Sequence, residues 1–521
     1  MYAAAFLTYA TTRAFTWDES YHLLAAQLIG AGKTPYLDFC FPQTPLNAYW
    51  NAAWMRLLGQ SWRVPHILAA LLTVGAVLMT ADFARRRFSE SAAITAGAVT
   101  GLNAMVFIYG PLAQPYGMCL FTLVLSFRIA VRAVDREGPL ATAAAGFFAG
   151  AAAASSLLSA VAAPVLLVWT LVYNRAGSRR TKLVAFVIGA SIPFAPVVWL
   201  FSRGPRQTWF SVIEYHLFFR KLYWPETTSH DIEVLTSWIE SPQALLTGLL
   251  AGLGVLYVSR RSQWPEAVKA EYYLCAWLAV ALCVEVSLAH PTFERYFLLP
   301  VPFLAILAVA GLYAIQSKRA ALVVSAIFVL GLGRSLYDRR ESDTWSDYER
   351  LAQFVDRVTP RDALLLADEP IYFLTRRAPP PGFELAYTHK IDLPAEDRAL
   401  LHILTEDEVK RQAHSGKFAT AYSCSDHDID AYDLGNSYRR RMDMDDCAIF
   451  WDPIGEVRAE LFRRQSPSII DAVHKGHAVG HEQEGIDAVR AALDEGGGVN
   501  ELDKTGWTPL MHAALECRGG S

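Results

Sequence analysis

Asp18 and Glu19 stand side by side just after the first apolar stretch of the chain. An adjacent carboxylate pair at a water boundary can supply a general base, provided one member faces a cavity. The same pair can instead cap the helical run through Tyr21–Ile29, and two acids in a row do not separate these readings. A second cluster reads His290–Pro291–Thr292–Phe293–Glu294–Arg295–Tyr296. Arg295 carries a planar fork able to grip a phosphate through two hydrogen bonds. Its other open roles are an interface anchor reaching toward water or a partner for Glu294. Lys33, Arg220 and Lys221 are further cations for the same task. His216 and His230 share one loop, but a metal site needs a third ligand at suitable spacing and none is evident, so both read as ordinary loop histidines. Asp368–Glu369 closes a strand-like run and reads as a solvated loop edge rather than a catalytic pair.

The elements that must hold these groups are membrane spans. Of 521 residues, 53% are hydrophobic and only 19% charged, against about 25% charged in soluble domains. The charges sit in short loops before residue 335 and dominate after it, which divides the chain into a membrane part and a soluble tail. The net charge of −4 and the lack of a basic cluster with interleaved aromatics argue against nucleic-acid binding. Seven cysteines form no CxxC pair, so no zinc or redox motif is present. No cofactor is implied.

Stretches of roughly 20 apolar residues mark spans. Eleven candidates run over 1–16, 64–83, 91–109, 112–131, 139–155, 157–173, 183–201, 242–258, 272–289, 297–315 and 320–335. The first lacks a cleavage site and reads as a retained anchor. Lys and Arg crowd alternate loops: Arg85–Arg87, then Arg128, Arg132 and Arg136, then Arg175, Arg179, Arg180 and Lys182, then Arg260, Arg261 and Lys269, then Lys318 and Arg319. Positive loops face the cytosol, so loops 17–63, 109–112, 202–241 and 290–296, and everything after about residue 336, face outward. The two long outer loops are rich in tryptophan and are expected to hold short helices at the membrane surface. Cys40, Cys424, Cys447 and Cys517 would lie outside; Cys424 and Cys447 are either a disulfide or two unpaired thiols.

The segment following Asp18–Glu19 continues through Pro35–Tyr36–Leu37–Asp38–Phe39 and Pro42–Gln43–Thr44–Pro45–Leu46. This order over about thirty residues resembles the first outer loop of the GT-C glycosyltransferases. The likeness is strongest to the bacterial branch related to protein O-mannosyltransferases and lipid A aminoarabinose transferase, of the glycosyltransferase family 39 type. The Arg295–Tyr296 stretch ending in Leu299–Pro300 is similar to a second family pattern. The resemblance implies a polytopic all-α membrane domain of about eleven helices over 1–335. It implies inverting transfer of a sugar from a polyprenyl-phosphate donor to a lipid, glycan or protein acceptor. By the same likeness Asp18 is the catalytic base with Glu19 beside it, Arg295 and Tyr296 meet the lipid phosphate, and Lys33, Tyr36, Asp38 and Gln43 belong to the substrate site. The setting implied is a bacterial plasma membrane with the site outside the cytosol. Two positions depart from the pattern. Gln114 stands where many relatives carry an acid, leaving a two-carboxylate or metal-dependent mechanism without its second acid, and Thr44 replaces a frequent proline. A transporter is the first rival reading, but the spans are nearly charge-free apart from Glu285 and no internal repeat is visible. A non-catalytic scaffold is the second.

Residues 336–460 read as a small outer α/β domain, with an amphipathic helix over Tyr348–Val358 and strand signals at 363–367, 418–422 and 447–451. In region 466–521, Thr505–Gly506–Trp507–Thr508–Pro509–Leu510 resembles the opening of an ankyrin repeat. It is expected to be an incomplete repeat that binds a protein partner.

Overall fold

The computed structural model describes residues 2–224 and 226–454, with positions 487, 489 and 490 beyond them. The ankyrin-like stretch 505–514 and Cys517 lie outside the described residues. The chain divides into two compact units: Met1–Arg350 with Glu369–Glu406, and Leu351–Asp368 with the described residues from Asp407 onward. The α/β region expected over 336–460 is thus split, its segment 369–406 packing with the membrane helices.

Each stretch expected to span is helical in the first unit. Among the described residues, six helices are long and apolar enough to cross a membrane: Arg63–Arg87, Tyr116–Ala133, Arg179–Arg203, Pro242–Arg260, Glu266–Leu288 and Arg319–Asp338. Leu140–Ser155, Leu157–Val172 and Val301–Ile315 are shorter apolar helices. The remaining two stretches, at Tyr2–Thr12 and over 91–109, are shorter still or broken. The break over 91–109 has a local cause. Asn103 accepts hydrogen bonds from the Met105 and Val106 amides, so it starts a new helix at Ala104 rather than continuing the old one. Serine caps open other helices in the same way, at Ser178, Ser241 and Ser317.

Lipid and packing divide the helix faces. Leu249, Leu256, Trp277, Val284, Leu322 and Leu330 are exposed, an apolar girdle that water would penalise and lipid tails would not. Inside, Gly254 and Gly311 let the Pro242–Arg260 and Val301–Ile315 helices touch backbone to backbone. A Cβ on Gly254 would strike the Leu307 carbonyl, and one on Gly311 the Leu250 carbonyl.

Both long loops rich in tryptophan are largely helical. Loop 17–63 contains Glu19–Gly30 and Leu46–Leu58. Loop 202–241 contains Pro205–Trp209, a π-helix over Phe210–Phe219 and Thr227–Glu240.

The second unit holds a four-stranded sheet of β1 (Leu364–Leu366), β2 (Phe418–Ser423), β3 (Tyr438–Met444) and β4 (Cys447–Pro453), in the order β1-β2-β4-β3. β1 runs parallel to β2, and the other pairs are antiparallel. The buried strands β2 and β4 match their sequence signals. β3 was not foreseen, because Tyr438–Met444 carries three arginines and is largely exposed on the sheet edge. Cys424 and Cys447 are joined as a disulfide between the end of β2 and the start of β4.

Candidate active site

A cavity of about 450 Å³ lies within the first unit, and Asp18 and Arg295 both line it. Asp18 occupies the N-cap of the Glu19–Gly30 helix, yet its side chain makes no capping bond. The carboxylate is instead ion-paired with the Arg295 guanidinium and accepts a hydrogen bond from the Tyr387 hydroxyl at 3.0 Å. Arg295 stands on a 3-10 turn, Glu294–Leu298, with its guanidinium 4.3 Å from the Phe293 ring centroid. Burial disfavours its charge, but Asp18 and the nearby tyrosine hydroxyls outweigh that, so its proton is held more tightly than usual. Glu294 is not its partner; it faces Arg339 at 3.6 Å.

Arg220 joins from the 3-10 turn Arg220–Tyr223, donating to the Tyr296 hydroxyl and lying 5.3 Å from the Phe293 ring. Two guanidiniums therefore lie close to one aromatic ring on the cavity wall. Two neighbouring guanidiniums suit a dianionic oxyanion group, each fork offering paired N–H donors to its oxygens. Burial and the neighbouring Arg220 hold His216 neutral, its pKa down at about 3. Tyr387 keeps its hydroxyl proton because burial and then the Asp18 charge both oppose ionisation.

Glu19 points elsewhere. It is fully buried and is not among the residues lining the cavity. Its Oε1 accepts the Trp345 indole N–H at 2.6 Å, and its Oε2 accepts the Ala113 amide at 3.0 Å. His66 Nε2 lies 3.0 Å from Oε2, while its Nδ1 lies 2.7 Å from the Ala10 carbonyl. Since a carbonyl only accepts, Nδ1 carries a proton, and another proton must lie between Nε2 and Oε2. Glu19 thus ties the Asp18 helix to the Arg63–Arg87 helix, the 110–115 loop and Trp345.

The other expected residues divide. Gln43 and Tyr296 line the cavity. Tyr36 is buried behind it, its hydroxyl bonded to the Gln43 carbonyl at 2.5 Å, and so shapes the loop. Asp38 accepts the Thr34 amide at 2.6 Å in an exposed turn, and Lys33 is exposed; neither lines the cavity. Glu369 is buried and accepts the Ala386 amide at 3.0 Å, so it braces the segment carrying Tyr387. Tyr387, His66 and Trp345 were not singled out in the sequence, and no local signal marks them. Among the described residues no three His, Cys, Asp or Glu side chains gather as metal ligands.

No protein-family model and no curated protein matches the chain. Solved structures do match. The crystal structure of ArnT from Cupriavidus metallidurans bound to undecaprenyl phosphate aligns with a TM-score of 0.62 at 16% identity, over 86% of this chain and 95% of that one. The apo state of the same protein aligns with a TM-score of 0.62 at 15% identity, over 86% and 95%. The Archaeoglobus fulgidus oligosaccharyltransferase aligns with a TM-score of 0.45 at 14% identity, over 81% of this chain and 67% of that one. In fold the chain is similar to ArnT, and its long apolar helices mark it as an integral membrane protein.

Proposed function

We propose that this protein is a membrane glycosyltransferase that moves a sugar from a polyprenyl-phosphate carrier to an acceptor on the side away from the cytosol. The observation that carries the reading is the meeting of Asp18 and Arg295, 277 residues apart, on one cavity with apolar side chains such as Leu157, Leu217 and Leu288. A carboxylate, a pre-aimed phosphate grip and an apolar wall are what a lipid-phosphate sugar demands of a site. The shared fold with ArnT, crystallised with undecaprenyl phosphate, supports the same donor class. The Cys424–Cys447 disulfide favours an oxidising compartment for the second unit.

In this mechanism the donor phosphate takes over the Arg295 fork, and Asp18 is released but kept in place by Tyr387. Asp18 accepts the proton of the acceptor hydroxyl as that oxygen attacks the anomeric carbon. The carbon–oxygen bond to phosphate breaks, its electron pair passing to the departing polyprenyl phosphate. Arg295 and Arg220 stabilise the charge developing there. Attack opposite the leaving group inverts the anomeric centre.

The test is transfer from a lipid-linked sugar by purified wild type and Asp18→Asn. The variant is isosteric but cannot take a proton, so turnover should fall by roughly 10² to 10⁴ with donor affinity little changed. Near-normal transfer by Asp18→Asn would remove the base assignment and favour the scaffold reading.

A further inference from the structure

Three uncharged side chains from separate stretches of chain share the cavity with Asp18: His22, Thr44 and Gln114. They are 4%, 4% and 3% exposed. His22 Nδ1, Thr44 Oγ1 and Gln114 Oε1 meet no hydrogen-bond partner among the described residues. Buried polar atoms are nearly always satisfied, so three such atoms at one cavity call for a ligand that bonds them.

Their chemistry narrows that ligand. Burial holds His22 neutral, its pKa pushed down to about 3, so it presents no charge to a phosphate. Its ring stacks on Tyr21 at 4.2 Å, which fixes its plane. The Gln114 amide nitrogen donates to Thr16 Oγ1 at 3.3 Å, leaving the amide oxygen as an acceptor. Thr44 can donate or accept. A neutral set of mixed donors and acceptors matches hydroxyl groups, each of which also donates and accepts. The cations of the cavity, Arg220 and Arg295, come from other turns of the chain. His22 follows Asp18 by four residues, so both lie on one face of the same helix.

We infer that His22, Thr44 and Gln114 form the subsite for the hydroxylated ring of the transferred sugar. This rests on the proposed transferase reading and adds to it the groups that select the sugar. Selection by such groups is strong, because a missing hydroxyl leaves a buried protein atom unpaired.

The experiment measures binding of three probes to the detergent-purified full chain: undecaprenyl phosphate, undecaprenyl-phosphate-linked hexoses and pentoses, and deoxy analogues of the best-bound sugar. Thr44→Val and Gln114→Met should each weaken the sugar-linked lipid about threefold to tenfold, while undecaprenyl phosphate binds as to wild type. Each should also lose discrimination against one deoxy analogue, and Thr44→Ser should restore it. Equal weakening of sugar-linked and bare carrier would overturn the subsite, as would unchanged sugar discrimination in both variants. A wild type that binds neither lipid would instead overturn the donor reading beneath it.

Discussion

Arg295 has two partners to serve at different moments, and its chemistry suits both. It neutralises Asp18 before the donor arrives and then meets the donor phosphate through the same planar fork. Arg295→Ala should therefore weaken undecaprenyl-phosphate binding about tenfold to a hundredfold, the value of a charge-assisted bond. Arg295→Lys should recover only part, since an ammonium cannot bond two oxygens in the fork geometry. Equilibrium binding on purified variants reads this directly, and an unchanged affinity would return Arg295 to an anchoring role. A separate titration follows from Glu384, which is buried beside the cavity-lining Leu385. Burial pushes its carboxyl up from 4.5 to about 7, the folded chain thus holding a proton that the unfolded chain releases. Its contribution to stability is complete below about pH 4.5 and lost as pH rises through about 7. Thermal midpoints in detergent should decline across that window, and Glu384→Gln should flatten the decline.

At the scale of elements, the hub around Glu19 decides how the Asp18 helix sits. Four elements converge on one carboxylate, and among the described residues its ion-pair partner is His66. His66→Phe leaves that carboxylate buried with its indole and amide donors alone. Such an uncompensated buried charge costs about 3–5 kcal/mol. The double variant Glu19→Gln, His66→Phe should be less destabilised than His66→Phe alone, because no charge is then stranded. Chemical or thermal unfolding of the four proteins in detergent forms the cycle. Additive losses would show that the pair is not coupled.

For the molecule as a whole, the side of the membrane that the cavity faces is set by the charge of its loops. The arginine-rich loops point to cavity-outward insertion. A cysteine placed at Ser178 should be shielded from membrane-impermeant maleimide in intact cells, and one placed at Ser346 should react. The opposite pattern would reverse the orientation and put the site in the cytosol, where no extracytosolic donor could reach it.

The periodic and compositional features were legible in the chain itself. Apolar length marks helices that pack in lipid, and short apolar runs mark the buried strands β2 and β4. Each of these is a local property, set by neighbours within a turn or a strand. Asp18 and Arg295 were visible as candidates by residue type, but their pairing was not, because 277 residues separate them. Tyr387 lies in segment 369–406, which the sequence assigned with the outer domain and the fold packs onto the membrane helices. The different fates of Asp18 and Glu19 also belong to the tertiary structure. Adjacent residues at a helix start point about 100° apart, and only the packing of distant chain decides which direction meets a cavity and which meets His66 and Trp345.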